Sequence, residues 1–210
     1  MTDTSDLKAW AAVVVAAVVA ACLLALLVAT KPADAAGRYK TVTKTFSNAS
    51  AITINQSTGE VSLYPSTLAA GGMRRGKILD VNVTLNGYSH TYPDDVDVAL
   101  VGPGGQNAIM MSDVGGTTDA NNLTLGLDDE AAVSLPNDGP LVGATFKPTN
   151  VTAEPDTFPF TPSGAVALST FDGSNPNGTW SLYVDDDYAT GDGGQLASGW
   201  SLQIRARVLR

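Results

Sequence analysis

The chain has 210 residues, which is room for one domain of moderate size and a short additional segment. Its 21 acidic and 12 basic residues give a formal net charge of -9, an excess of acid that argues against binding to nucleic acid. A hydrophobic fraction of 44% excludes a disordered acidic chain, and 21 glycines with 11 prolines are typical of an all-β protein with frequent turns.

Residues 1–35 are predicted to be a signal anchor or a signal peptide. Residues 9–29 are continuously apolar and long enough to cross a bilayer as a helix, which takes about 20 residues. Residues 33–35, Ala-Asp-Ala, match the small-residue pattern of a cleavage site. The length favours an uncleaved anchor, and both interpretations stay open. Either one places the remainder outside the cytoplasm, tethered to the membrane or secreted.

Residues 36–45 are predicted to form a linker and a first strand, and residues 46–210 a β-sandwich. In the most informative stretch, alternating apolar residues predict two strands. They are Val81, Val83 and Leu85 in the first strand and Val96, Val98 and Leu100 in the second. Asn86-Gly87 is the residue pair of a turn, so the two strands are expected to meet at a corner that carries Asp94, Asp95 and Asp97.

The second half of the chain continues the strand pattern. After the turn residues 102–105, residues 107–112 should pair back as a hairpin, whereas residues 128–163 are rich in proline and predict a functional or lid-like loop. Trp180 and Trp200 lie at inward positions of two further strands. Because no useful helical periodicity follows Ala36, we expect an antiparallel jelly-roll β-sandwich preceded by one N-terminal hydrophobic helix.

Four segments carry a family likeness, and their order and spacing make it specific. They are DVNVTL at 80–85, HTYPDDVDVALVGPGGQ at 90–106, NPNGTWSL at 175–182 and GWSLQI at 199–204. The chain from about Phe46 to Val208 resembles the P domain, also called the Homo B domain, that follows the catalytic domain of subtilisin-like proprotein convertases. The resemblance implies a jelly roll, here of a stand-alone bacterial or archaeal type, and an association with serine peptidases. The chain has neither the room for a subtilisin domain nor its catalytic segments, so we expect no enzyme.

Clustered carboxylates are the candidate binding groups. Calcium takes six to eight oxygen ligands, which loops between strands supply well. The candidate ligands are Asp94, Asp95 and Asp97 in one cluster and Asp185, Asp186, Asp187 and Asp192 in a second. Asp113 is a further carboxylate for either cluster. Some P domains bind calcium at such loops, so the resemblance favours a structural calcium ion over solvated turn residues.

Single-occurrence residues limit other chemistry. The only cysteine, Cys22, lies in the apolar run, and the only histidine, His90, excludes a zinc site built on several imidazoles. Any metal is therefore expected to prefer oxygen. No nucleophile elbow accompanies His90, which is better explained by hydrogen bonding within its own loop than by catalysis, so no catalytic residue is assigned.

These patterns favour a non-catalytic, extracytoplasmic binding or stabilising module. The expected partners are the membrane, through residues 9–29, and a separately encoded peptidase or a surface protein. Two alternatives remain: a structural subunit of a surface filament or layer, and an autonomous hydrolase. A mature chain that starts at Trp10 would favour the filament.

Overall fold

The computed structural model describes residues 35–55, 58, 60–151, 156–188 and 191–210. The predicted membrane helix and cleavage site lie outside these residues. Within them, no helix is long and apolar enough to cross a membrane. The chain divides into two compact units, residues 1–39 and 40–210. In the first unit, the described part begins with a single helical turn, α1 (Ala35–Arg38).

The larger unit is all-β. Its strands are β1 (Tyr39–Asn48, which begins one residue before the unit), β2 (Ile52–Ile54), β3 (Ser66–Ala70), β4 (Lys77–His90), β5 (Val96–Val101), β6 (Asn107–Ser112), β7 (Ala120–Leu127), β8 (Thr145–Phe146), β9 (Thr149–Asn150), β10 (Gly178–Asp186), β11 (Gly194–Leu196) and β12 (Trp200–Leu209). Two 3₁₀ helices, Pro93–Asp95 and Leu168–Phe171, interrupt them.

The strands form two sheets. The seven-stranded sheet has the order β1-β12-β4-β11-β2, with β7 added beside β4 and β8 beside β7. The five-stranded sheet has the order β3-β10-β5-β6-β9. The sheets are antiparallel except for two short parallel pairs, β6 with β9 and β7 with β8. The sequence did not predict these two pairs.

Apolar residues from both sheets pack into one buried cluster, which is the arrangement of a β-sandwich. The predicted inward trios of β4 and β5 are all within it, and so are Trp180 and Trp200, each fully buried. The indole N–H of Trp200 donates to Ser66 Oγ at 3.0 Å, and that of Trp180 donates to the Pro176 carbonyl at 3.1 Å. Both tryptophans therefore bury a large apolar area without leaving a polar atom unpaired.

The predicted turn at Asn86-Gly87 is wrong. Strand β4 continues through it to His90, and the register shifts there mark β-bulges, with Gly87 at a φ of 69°. A bulge places an extra residue in one strand, and glycine tolerates the positive φ, so the same residue pair serves a different purpose here. The corner does join β4 to β5, but the two strands belong to different sheets.

Candidate metal centre

The pairing of β5 with β10 brings the two acidic segments of the sequence side by side. Asp97 lies directly opposite Asp185, and the Asp187 N–H donates to the Asp95 carbonyl at 3.0 Å. The acids that were assigned to two clusters along the sequence therefore meet at one end of the five-stranded sheet. Strand geometry then distributes them again between its two faces.

Alternation along β10 determines which face each acid occupies. Trp180, Leu182 and Val184 point into the core, and Asp186 continues this inward row at 6% exposure. Asp185, one position earlier, lies on the outer face. The alternation does not extend to Asp95, because it ends the 3₁₀ turn Pro93–Asp95, which has three residues per turn.

The inner acidic group consists of Asp95, Asp186 and Asp192. One carboxylate oxygen from each lies within 4.8 Å of the others. His90, at the end of β4, approaches the group from the opposite sheet, with its Nε2 3.5 Å from Asp186 Oδ2 and both side chains fully buried. A cleft of about 360 Å³ opens beside Asp95 and Asp192 and is lined also by Tyr92 and Tyr188.

The carboxylates of the inner group repel one another. Burial, then a hydrogen bond with Asp192 and its charge, raise the pKa of Asp95 to about 7. Burial also raises the pKa of Asp186, against the opposing effect of nearby His90. An arrangement of carboxylates that resists ionisation in this way is stabilised by a positive ion among them.

The outer acidic group consists of Asp97, Asp113 and Asp156, again with one oxygen of each within 4.8 Å. Ser112 Oγ lies 2.7 Å from Asp113 Oδ2 and 2.9 Å from Asp156 Oδ1. Asn150 Nδ2 donates to the other Asp156 oxygen at 2.9 Å. Every group that faces this centre offers oxygen or an amide, so its chemistry suits a hard cation.

Asp97 is the most perturbed acid of the outer group. Its pKa is raised to about 8, first by burial and then by the charge of Asp156, while the Ser112 hydroxyl opposes the shift. Asp187 feels the charges of Asp113 and Asp156 as well, so its pKa is raised too, chiefly by burial. The outer group thus keeps several negative charges close together in a partly desolvated place.

Aromatic side chains cover the outer face beside this group. Phe158, at 9% exposure, packs with Ala99 and Ile109, and its ring stacks on Phe160 with centroids 5.2 Å apart. Tyr183 meets the edge of Phe160 at 5.0 Å. The predicted loop of residues 128–163 therefore does cover a sheet face, and it also supplies Asp156.

Two of the predicted ligands lie elsewhere. Asp185 lines a separate cleft of about 520 Å³, together with Thr53, Asn55, Glu60, Val61, Ser62 and Tyr64. Asp94 lies near Asp113, and its buried Oδ1 has no hydrogen-bond partner among the residues described. Their pKa values are both raised, chiefly by burial.

Sequence reasoning assigned the inner group in full but divided it between two clusters. It treated Asp113 only as a further carboxylate, and it missed Asp156, whose neighbours along the chain carry no acidic pattern. One signal was usable: Asp186 shares the parity of Trp180 along its strand, whereas Asp185 and Asp187 do not. No experiment here bears on whether any of these acids binds a metal.

Comparison with known proteins gives distant structural likenesses. No family model and no curated protein matches the sequence. The crystal structure of a serine protease of Aeromonas sobria aligns with a TM-score of 0.40 and 14% identity, over 87% of this chain and 29% of that one. The same organism's serine protease in complex with its chaperone aligns with a TM-score of 0.39 and 13% identity, over 82% and 27%. The chain thus spans less than a third of the chains it resembles, and its role must be argued from its own residues.

Proposed function

We propose that this chain is a non-catalytic, extracytoplasmic β-sandwich of P-domain type with jelly-roll topology, which binds calcium and acts as a binding or stabilising accessory module. The observation that carries the proposal is the outer acidic group. It places three carboxylates and a hydroxyl around one point, at the side of a sheet rather than in an open loop.

Calcium suits this group for two reasons. Its ligands are oxygens, which hard cations prefer, and they come from strand ends and a loop that adapt to the irregular coordination of calcium. Asp97 is held by β5 and Asp113 follows β6, so two of the three carboxylates stand on neighbouring strands. A site of this kind is filled at the calcium concentrations found outside cells, where modules with Kd values of about 10⁻⁴ to 10⁻³ M are loaded.

A non-catalytic role is supported by the position of the only imidazole. His90 is 1% exposed, and its Nδ1 is engaged with the Tyr92 carbonyl at 2.8 Å. A general base must reach the proton that it removes, which a side chain enclosed between two sheets does not do. Its nearest charged neighbour is Asp186 rather than a serine hydroxyl.

The accessory role and the partners rest on the sequence. Residues 9–29 are proposed to hold the domain at the membrane, or to direct its export before cleavage, and a separately encoded subtilisin-like peptidase is the proposed partner. The P-domain resemblance supports this partner, because that family stabilises the peptidase domain beside it.

Thermal unfolding of the full chain in calcium and in EGTA tests the calcium site. Calcium should raise the Tm, and Asp97→Asn and Asp113→Asn should each reduce the increase several-fold because they remove a ligand charge. Asp172→Asn is the matched control: its carboxyl also has a pKa raised by burial and by acidic neighbours, but it lies near Asp80 and Asp129. A Tm that is the same in calcium and in EGTA would refute the calcium site.

The accessory role needs its own measurement. The domain should lengthen the half-life at elevated temperature of a subtilisin-like peptidase from the same source that lacks its own P domain. Bovine serum albumin at equal concentration is the control for non-specific protection. Equal half-lives with this domain and with albumin would remove the peptidase from the proposal and leave the calcium-binding module.

A further inference from the structure

The inner acidic group differs from the outer one because a nitrogen atom faces it. His90 Nε2 is enclosed at the end of β4, has no hydrogen-bond partner in the described part of the chain, and points at Asp186 Oδ2 from 3.5 Å. That distance exceeds the 2.7–3.2 Å of an N–H···O hydrogen bond. The two atoms are therefore close neighbours that do not bond to each other.

The other ring nitrogen determines what Nε2 offers. Nδ1 lies 2.8 Å from the Tyr92 carbonyl oxygen, and because a carbonyl only accepts, that contact requires a proton on Nδ1. The Tyr92 N–H lies further from Nδ1, at 3.2 Å, and is the weaker claim on it. In the neutral ring Nε2 is then a bare lone pair aimed at a carboxylate, a tautomer that histidine ligands of metals commonly adopt with a backbone carbonyl behind them.

Further polar atoms around the group are buried without partners among the residues described. They are Asp186 Oδ2, Asp192 Oδ1 and the hydroxyl of Tyr88, a residue with no exposed surface. Buried polar atoms are ordinarily hydrogen-bonded, and several orphans that converge on one place indicate a ligand between them. Acceptors dominate this set, so the missing ligand carries positive charge.

We infer that His90 Nε2, Asp95, Asp186 and Asp192 form a mixed nitrogen and oxygen site for a divalent ion of the zinc class, distinct from the calcium site proposed at the outer group. Four donors match the four-coordinate, tetrahedral preference of Zn²⁺, which accepts imidazole nitrogen and carboxylate oxygen. Two ligands bound about 2.0–2.1 Å from a tetrahedral ion lie roughly 3.3 Å apart, close to the 3.5 Å between His90 Nε2 and Asp186 Oδ2.

The ion would join the two sheets. His90 belongs to β4 of the seven-stranded sheet and Asp186 to β10 of the five-stranded sheet. Asp192 lies in the connection from β10 to β11, and β11 pairs with β4 beside His90. A closed site with four protein ligands leaves no position for a substrate, so its role is structural.

The single histidine makes a direct test available. The full chain, held in detergent because of residues 9–29, is labelled with ¹⁵N-histidine and stripped with EDTA, and the two ring nitrogens of His90 are followed by NMR. The expected spectrum without metal is that of the Nδ1–H tautomer. One equivalent of Zn²⁺ should shift the Nε2 signal and leave Nδ1 protonated, whereas the same amount of Ca²⁺ should leave both signals in place.

Thermal unfolding provides the second readout. Zn²⁺ should raise the Tm of the chain and of Asp172→Asn, and the increase should fall several-fold in His90→Gln, which replaces the nitrogen donor with an amide, and in Asp192→Asn. Asp97→Asn should keep the full zinc response while losing the calcium response, so the two sites succeed or fail separately.

An unchanged Nε2 signal at saturating Zn²⁺, or an Nε2–H tautomer in EDTA that persists with zinc, would overturn the site. So would a zinc response that His90→Gln retains in full. Because the NMR measurement uses the unaltered chain, it decides the question even if a variant fails to fold.

Discussion

The inner and outer acidic groups are built from the same residue type on the same pair of strands, yet they lie in different surroundings. The inner group closes the end of the shared core and faces an imidazole and a buried phenol. The outer group lies on the far face of the sheet under a loop and faces a hydroxyl and an amide. A shift of one residue along a strand therefore changes both the burial of an aspartate and the ligand types that it meets.

The largest expected effect is a pH dependence that the outer group dominates when cations are removed. The pKa of Asp97 is about 8 in the folded chain against 3.8 for the unperturbed group, so the folded state retains a proton that the unfolded state releases. Stability should be highest below about pH 4 and fall, on the order of 5 kcal/mol, as the pH rises to about 8. Urea unfolding in EDTA across this range measures it.

The contribution of Asp97 is isolated by difference. Asp97→Asn should flatten the decline, and Asp95→Asn should remove the part that ends near pH 7, the pKa of that inner carboxyl. If Asp97→Asn loses stability with pH as steeply as the parent chain, the two groups do not differ in this way.

Removal of the aromatic cover should separate the groups next. Phe158→Ala should destabilise the fold by about 3 kcal/mol, because a nearly buried ring leaves a cavity over Ala99 and Ile109. The calcium response should weaken and the zinc response should remain. Val142→Ala, at a side chain 55% exposed, is the control and should change stability by less than about 0.5 kcal/mol. Equal loss of both metal responses would contradict the separation.

The opposite perturbation enters through β11. Gly194 pairs with His90, and a Cβ there would lie 2.6 Å from His90 Cδ2 and press on the Ser89 carbonyl. Gly194→Ala should cost about 2 kcal/mol and abolish the zinc response with little effect on calcium. Gly71→Ala, where a Cβ meets nothing within 4 Å, should be neutral. An unperturbed His90 ring in the NMR spectrum of Gly194→Ala would show that the inner group is looser than described.

The smallest expected effect concerns the buried phenol. The Tyr88 hydroxyl has no hydrogen-bond partner among the described residues, so Tyr88→Phe in EDTA should stabilise the chain by about 1 kcal/mol. Tyr188→Phe, at a side chain 64% exposed, should leave stability unchanged. Chemical denaturation measures both, and destabilisation by Tyr88→Phe would reveal a partner for the hydroxyl.

Much of the fold follows from alternation along the chain. The inward rows of β4, β5, β10 and β12 were predictable because a strand buried on one side repeats every two residues. The turn at Asn86-Gly87 was not, since a bulge and a turn use the same residues and only the neighbouring strands distinguish them. The division of β4 and β5 between two sheets was also beyond local reasoning, because it depends on which strands pair.

The candidate site was predictable as a composition rather than as a geometry. Asp95, Asp186 and Asp192 are distant in sequence and meet only because β10 pairs with β5 and β11 returns to β4. His90 was assigned to hydrogen bonding within its loop, which its Nδ1 contact confirms, but the exposure of its other nitrogen to the carboxylates depends on contact between the sheets.

The short segment of residues 145–150 has a consequence for local unfolding. Its first strand, β8, pairs with β7 in one sheet, and three residues later β9 pairs with β6 in the other. Backbone bonds from Asp128 N–H to the Phe146 carbonyl at 2.9 Å and from Val151 N–H to the Ser112 carbonyl at 3.2 Å hold it on both sides. Hydrogen exchange of these two amides should therefore proceed through one shared opening, which makes this segment the place where the two layers act as a single cooperative unit.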